Sequence, residues 1–173
     1  VKANNTHLLC ATTALLSLAF LSACKINPIA SAASGTDHLA HVTGITDGNI
    51  IKVDLDGTTE HIRLIGISTP PGTGCYTQEA TNRMRRFIEA TAVRLETDPT
   101  YSNRDPQGHL LRHIFTSDGT NVAQTLINDG YVHATTTKPP YRYQPAYTAA
   151  QKAAQKAQRG LWAACTTTPN HPK

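Results

Sequence analysis

Residues 39–67 read LAHVTGITDGNIIKVDLDGTTEHIRLIGI, and the fold turns on this stretch. From Leu39 to Ile45 apolar and polar residues alternate, the period of a half-buried strand. Asp47-Gly48 supplies a turn, and Ile50 to Leu55 forms a second strand. Asp56-Gly57 then joins that strand to a third, Thr59 to Ile67. Asp-Gly favours the tight turn of a hairpin, whose central residues take positive φ. A meander of antiparallel strands is therefore expected at the start of the folded domain.

Working toward the C-terminus, residues 68–74 (STPPGTG) form an irregular loop by their Pro and Gly content. Ala80, Met84, Phe87 and Ile88 then recur at helical spacing, with Arg83, Arg85 and Arg86 interleaved on the solvated side. Val93 to Thr97 is a fourth strand, residues 98–107 a polar loop, and His109 to Phe115 a fifth strand. Asn121 is placed to cap a short helix, with Val122 and Leu126 on one face and Gly130 just past its end. A last helix is expected from Pro145 to Arg159, with Ala146, Ala150, Ala153 and Ala157 facing inward. The order β-β-β-α-β-β-α-α suits an α+β, mainly β fold: a five-stranded OB-type Greek-key barrel with three helices.

Upstream, residues 8–21 (LLCATTALLSLAFL) carry no charge and are too short for a confident membrane span of about 20 residues. The length suits a secretory signal, and Leu21-Ser22-Ala23-Cys24 resembles the lipobox of a bacterial lipoprotein. The expectation is a signal peptide over residues 1–23, lipid on Cys24, a small-residue tether over 24–37 and a polar tail over 166–173. The chain is then exported and held on the cell membrane or envelope through that lipid. Once the signal is removed and Cys24 acylated, Cys75 and Cys165 remain in an oxidising space, and an even pair there reads as a disulfide.

Composition bounds the rest. The chain has 173 residues, enough for one domain, and its formal net charge is +4. With 39% hydrophobic and 16% charged residues it is neither a disordered tail nor a coiled coil. The cysteines fit no zinc spacing, and the basic excess permits a polyanionic partner without demanding one.

Several strings stand in order: Thr46-Asp-Gly-Asn49, His61-Ile-Arg-Leu-Ile-Gly-Ile-Ser-Thr-Pro70 and Cys75-Tyr-Thr-Gln-Glu-Ala80, then Val93-Arg-Leu-Glu96. Asp105-Pro-Gln-Gly-His109, Leu126-Ile-Asn-Asp-Gly-Tyr131 and Gly160-Leu-Trp-Ala-Ala-Cys165 follow. Together they resemble the thermonuclease, or staphylococcal-nuclease-like, family over residues 38–165, in its secreted bacterial branch. The resemblance implies an OB-type barrel that cuts DNA and RNA with Ca²⁺. It implies two metal-binding aspartates, a glutamate serving the attacking water, and two arginines that neutralise the phosphate. Those residue types suit the chemistry: carboxylates for a hard cation, a base near water, guanidinium for a developing phosphorane.

This sequence departs from that pattern at most of the matched positions. Asn49 and Ser68 fall where the two metal aspartates are implied, and Pro71 where the glutamate is. Thr69 and Pro70 are kept, and so is the first arginine, as Arg63. The second arginine position holds His109, and the tyrosine two residues before it holds Gln107. Thr135 and Thr137 occupy the positions of nucleotide-contacting tyrosines. Asp47 is retained and could reach the metal region through water. The implied site is thus a degenerate one of Asp47, Asn49, Ser68 and Thr69 for metal, with Arg63 as its one certain charge.

Other readings of the same residues compete with these. His109 and His113 on one strand lie about 13 Å apart, too far for a shared metal. Arg63 reads either as a phosphate ligand or as a relic paired with a neighbour. Arg83, Arg85 and Arg86 read as a solvated face before a phosphate-tracking patch. Tyr141, Tyr143 and Tyr147 pack the last helix onto the barrel before they stack on bases. Two functions remain: a lipid-anchored nuclease with residual hydrolysis, or a monomeric binding or structural module that kept the barrel and lost the chemistry. The missing carboxylates favour the second, with nucleic acid as a weak partner.

Overall fold

The computed structural model describes residues 38–70 and 74–165. The expected signal, Cys24, the tether, Pro71 and the polar tail lie outside the described residues.

Five strands close into a barrel in the order β1-β2-β3-β6-β5. They are β1 (His38–Ile45), β2 (Ile50–Leu55), β3 (Thr58–Leu64), β5 (Ala92–Glu96) and β6 (Leu110–Thr116). β1, β2 and β3 form the expected antiparallel meander, with Ile51 opposite Ile62 and Val42 opposite Val53. β5 pairs with both β1 and β6, and β3 runs parallel to β6, so the cylinder has no free edge. Val42, Ile51, Val53, Ile62, Val93, Leu95 and Ile114 enter one core with Met84 and Ile88 from α1 (Thr77–Ile88) and Leu126 from α2 (Val122–Asn128). The apolar spacing read in α1 is the face that enters this core.

β6 is buried along nearly its whole length because α2 packs against it, and so its residues do not alternate. Asn121 caps α2, its Oδ1 accepting from the Gln124 backbone N–H at 3.0 Å. Gly130, at φ 78°, follows the end of that helix as expected.

Three local expectations are corrected. The third strand ends at Leu64: Ile65-Gly66 turns, and Ile67–Ser68 (β4) pairs instead with His133–Ala134 (β7) in a separate two-stranded sheet. The last long helix, α3, spans Gln144–Lys156, and its buried residues are Tyr147, Ala150 and Ala154. Ala153 and Ala157 are exposed, because the ring of Tyr147 sets the inward stripe and 150 and 154 follow it at helical spacing. The loop after β5 is not wholly polar surface either, since Asp98 is buried.

A short helix, α4 (Leu161–Ala164), follows, and Cys165 at its end is bonded to Cys75, Cα to Cα 5.8 Å. The bond closes a 90-residue separation, which a chain-entropy model values at roughly 4–5 kcal/mol. Tyr141 and Tyr147 are buried and Tyr143 half-buried, packing α3 onto the barrel. Of the helix arginines, Arg83 pairs with Asp129 at 3.1 Å and lies over the Phe87 ring, while Arg85 pairs with Glu89 at 3.6 Å.

Candidate active site

The β1–β2 turn, the end of β3 and the loop before β6 meet on one side of the barrel. Asp47 builds the first of these. Its Oδ1 accepts the backbone N–H groups of Asn49 and Ile50 at 2.7 and 2.8 Å, closing the turn on itself. Gly48 has no room for a side chain: a Cβ there would meet Thr69 at 2.6 Å and Ala80 at 2.8 Å. Asn49 is buried, and its carbonyl accepts from the Leu64 N–H at 3.0 Å. The turn is thereby pressed against Thr69 and helix α1, with Asn49, Gly48 and Thr69 as neighbours. Ser68 is half-buried and pairs with His133 across the β4–β7 ladder.

Arg63 stands on β3, opposite Ile50 on one side and Leu111 on the other. Its Nε donates to Asp105 Oδ2 at 2.7 Å. His109 reaches the same oxygen through Nδ1 at 2.9 Å. The other oxygen of Asp105 accepts the backbone N–H groups of Gln107 and His109 at 3.0 and 2.9 Å. Burial pushes the Asp105 carboxyl up, but hydrogen bonds from His109 and Arg63 outweigh that and hold it at about 2. Arg104 fastens the same loop to β3 by gripping both carboxylate oxygens of Glu60 at 2.8 and 2.9 Å and the Gly108 carbonyl at 2.7 Å.

Of the two readings left open for Arg63, the geometry gives it a carboxylate neighbour. Asp105 opens a string quoted for the resemblance, yet sequence reasoning gave it no role. Its one signal was an aspartate ahead of a Pro-Gln-Gly turn, a residue type that binds nearby backbone N–H groups.

Thr135 and Thr137 are tied into the fold by hydrogen bonds. The Thr135 N–H donates to Gly66 O at 2.9 Å, and the Thr137 hydroxyl donates to Pro139 O at 3.0 Å. His113 has a different partner from His109: its Nε2 meets Asp98 at 3.0 Å, and both side chains are fully buried.

The donors at the implied metal site are one carboxylate already bound twice to backbone, one carboxamide and two hydroxyls. Among the described residues no three His, Cys, Asp or Glu side chains converge on one point. A resident Ca²⁺ draws on several anionic oxygens, and this set does not fit it.

A family model described as staphylococcal nuclease homologue matches residues 61–164, from within β3 through α4. This chain belongs to the staphylococcal nuclease family. The thermonuclease of Staphylococcus hyicus is 29% identical over 94% of this chain and 99% of its own length. The thermonuclease of Staphylococcus intermedius is 34% identical over 70% of this chain and 74% of its own. An uncharacterized endonuclease of Escherichia coli O157:H7 is 28% identical over 74% and 79%. The closed barrel with its helices is the OB-type architecture of that family.

Proposed function

We propose that this member of the staphylococcal nuclease family has lost Ca²⁺-dependent phosphodiester hydrolysis and acts as a monomeric binding or structural module, tethered to the cell envelope through lipid on Cys24. One observation carries the loss of activity. Where the resemblance implies acidic metal ligands and two phosphate-neutralising arginines, this chain has Asn49 and Ser68, and the arginine it keeps is paired with Asp105.

Three chemical deficits follow. Neutral oxygens attract a divalent cation far less than carboxylates do. Pro71 supplies no acid–base group, and losing a general base costs about 10²–10⁴ in rate. His109 lacks the bidentate fork of arginine, and losing a charge-stabilising donor costs about 10²–10³. These losses are not additive, but several decades of rate go with them.

What survives is weak affinity for nucleic acid. Arg63 keeps two guanidinium nitrogens beyond the one engaged by Asp105, and phosphate contacts need only positive charge. Assays of the full chain on DNA and on RNA, with Ca²⁺, Mg²⁺ and Mn²⁺ in turn, test the reading. No cleavage together with salt-sensitive oligonucleotide binding is expected, and turnover with Ca²⁺ would return the chain to the active nucleases.

Anchoring is tested separately. Leu21-Ser22-Ala23-Cys24 supports cleavage before Cys24 and its acylation. Mass analysis of the membrane fraction should find a chain beginning at Cys24 that carries lipid. A soluble chain with unmodified Cys24 contradicts the tether.

A further inference from the structure

β3 and β6 run parallel with Ile62 opposite Leu110, so one residue earlier His61 and His109 are cross-strand neighbours. Their ring centroids lie 5.8 Å apart, with the planes inclined by 30°. This is a different pairing from the one weighed in the sequence. Residues four apart on one strand diverge by about 13 Å, whereas neighbouring strands are about 4.8 Å apart.

Asp105 settles where the proton on His109 sits. An ionised carboxylate only accepts, so the 2.9 Å contact requires hydrogen on Nδ1. The neutral ring then presents its lone pair at Nε2, and that atom has no hydrogen-bond partner among the described residues. The His61 ring, half-buried, makes no hydrogen bond among them either. Two unpartnered imidazoles side by side, one oriented by a carboxylate, form the arrangement in which histidines ligate metals.

We propose that His61 and His109 form a two-histidine site for a divalent transition metal such as Zn²⁺, Ni²⁺ or Cu²⁺, with Asp105 orienting His109. Imidazole nitrogen suits these borderline metals, while Ca²⁺ selects oxygen and does not compete. The surrounding charges are compensated in part: Arg112, also near Glu60, donates to Asn103 and the Leu111 carbonyl, and the other two arginines are ion-paired. Arg63 is neutralised by Asp105, and Arg104 by Glu60. Lys52, opposite His61 on β2, is exposed, and its long stem lets the ammonium swing into solvent. With two imidazoles as its protein ligands, the ion keeps open positions for water or for a phosphate oxygen beside Arg63.

The test is metal binding without nucleic acid, so its outcome does not depend on whether the domain cleaves anything. The full chain is titrated calorimetrically with Zn²⁺, Ni²⁺ and Cu²⁺ separately, and the Cu²⁺ form is examined by electron paramagnetic resonance for nitrogen couplings. Other histidines can scavenge metal, so variants decide. His61→Ala and His109→Ala should each weaken the tightest site about tenfold or more, Asp105→Asn about 10–100-fold, and His41→Ala not at all. If His61→Ala fails to fold, His61→Gln should lose one of the two nitrogen couplings instead. Absence of binding at millimolar metal, or a tight site unchanged in the His61 variant, overturns the proposal.

Discussion

At the scale of single residues, the site turns on Asp105. It receives Arg63 and His109 on one oxygen and two backbone N–H groups on the other, so one carboxylate both shapes the loop and occupies the only retained arginine. Asn49, Ser68 and His109 could be read as departures because a resemblance marked their places. Asp105 could not, since its role depends on β3 and the loop before β6 meeting in space. Asp105→Asn retains an oxygen for the loop but removes the charge opposing phosphate at Arg63. Binding of single-stranded oligonucleotide should tighten several-fold, and its salt dependence should steepen by about 0.7 in log–log slope for one added phosphate contact. Fluorescence anisotropy across a salt series measures both. Equal or weaker binding by the variant contradicts the masking role of Asp105.

The buried pair Asp98–His113 sets the acid response. Burial pushes the Asp98 carboxyl up, but hydrogen bonds from Thr100, His113 and the Arg142 backbone hold it well below the usual carboxylate range. Burial pushes the His113 imidazole down, outweighing the opposing pull of Asp98, and burial lowers His133 as well. All three groups bind fewer protons folded than unfolded, so each contributes stability that is lost as pH falls. The histidine part should go first, as pH drops below about 6.5, and the Asp98 part below about 4. Melting temperature measured from pH 7.5 down to 3 should fall throughout, beginning above the carboxylate range. A Tm that is flat or rising between pH 7 and 5 contradicts the account.

At the scale of elements, most of the barrel was legible in the sequence because its cues are local. Alternation marked β1, the Asp47-Gly48 and Asp56-Gly57 turns bounded β2, and the apolar stripe of α1 marked the face that enters the core. Two features were not legible. The run Leu64 to Ile67 is apolar apart from Gly66, which alone hints that the strand breaks. That break is a tertiary effect: Gly66 sits at φ 84° against the Tyr141 ring, where a Cβ would lie 2.6 Å from it. In α3 the alanine spacing pointed to Ala146, Ala150, Ala153 and Ala157 as the inward face, but the bulk of Tyr147 turns the stripe to 147, 150 and 154. Close approach also governs the β1–β2 turn. Gly48→Ala should force Thr69 and α1 away from the turn and destabilise the domain by about 1–3 kcal/mol, the usual cost of overpacking. Denaturant unfolding of the variant checks this, and unchanged stability would show that the turn is not clamped between Thr69 and Ala80.

For the molecule as a whole, the proposed function separates scaffold from chemistry. The closed barrel, the α1–α4 disulfide and the helices that cover β6 are all present, and each rests on burial or a covalent link that a catalytic substitution does not touch. The proposed loss of catalysis concerns side chains such as Asn49, Ser68 and His109, none of which belongs to the apolar core cluster. The order of motifs along the chain revealed the family, while only the geometry revealed that Arg63 is engaged by Asp105. The central claim is that substitutions at Asn49, Ser68, Pro71 and His109 remove Ca²⁺-dependent cleavage from an intact nuclease fold. The most direct measurement compares the full chain with a variant carrying Asn49→Asp, Ser68→Asp, Pro71→Glu and His109→Arg together, on the same single-stranded DNA with Ca²⁺. The account predicts no cleavage by the unaltered chain and recovered cleavage by the fourfold variant, beyond any single change. Robust Ca²⁺-dependent cleavage by the unaltered chain, abolished by Arg63→Ala, would contradict it.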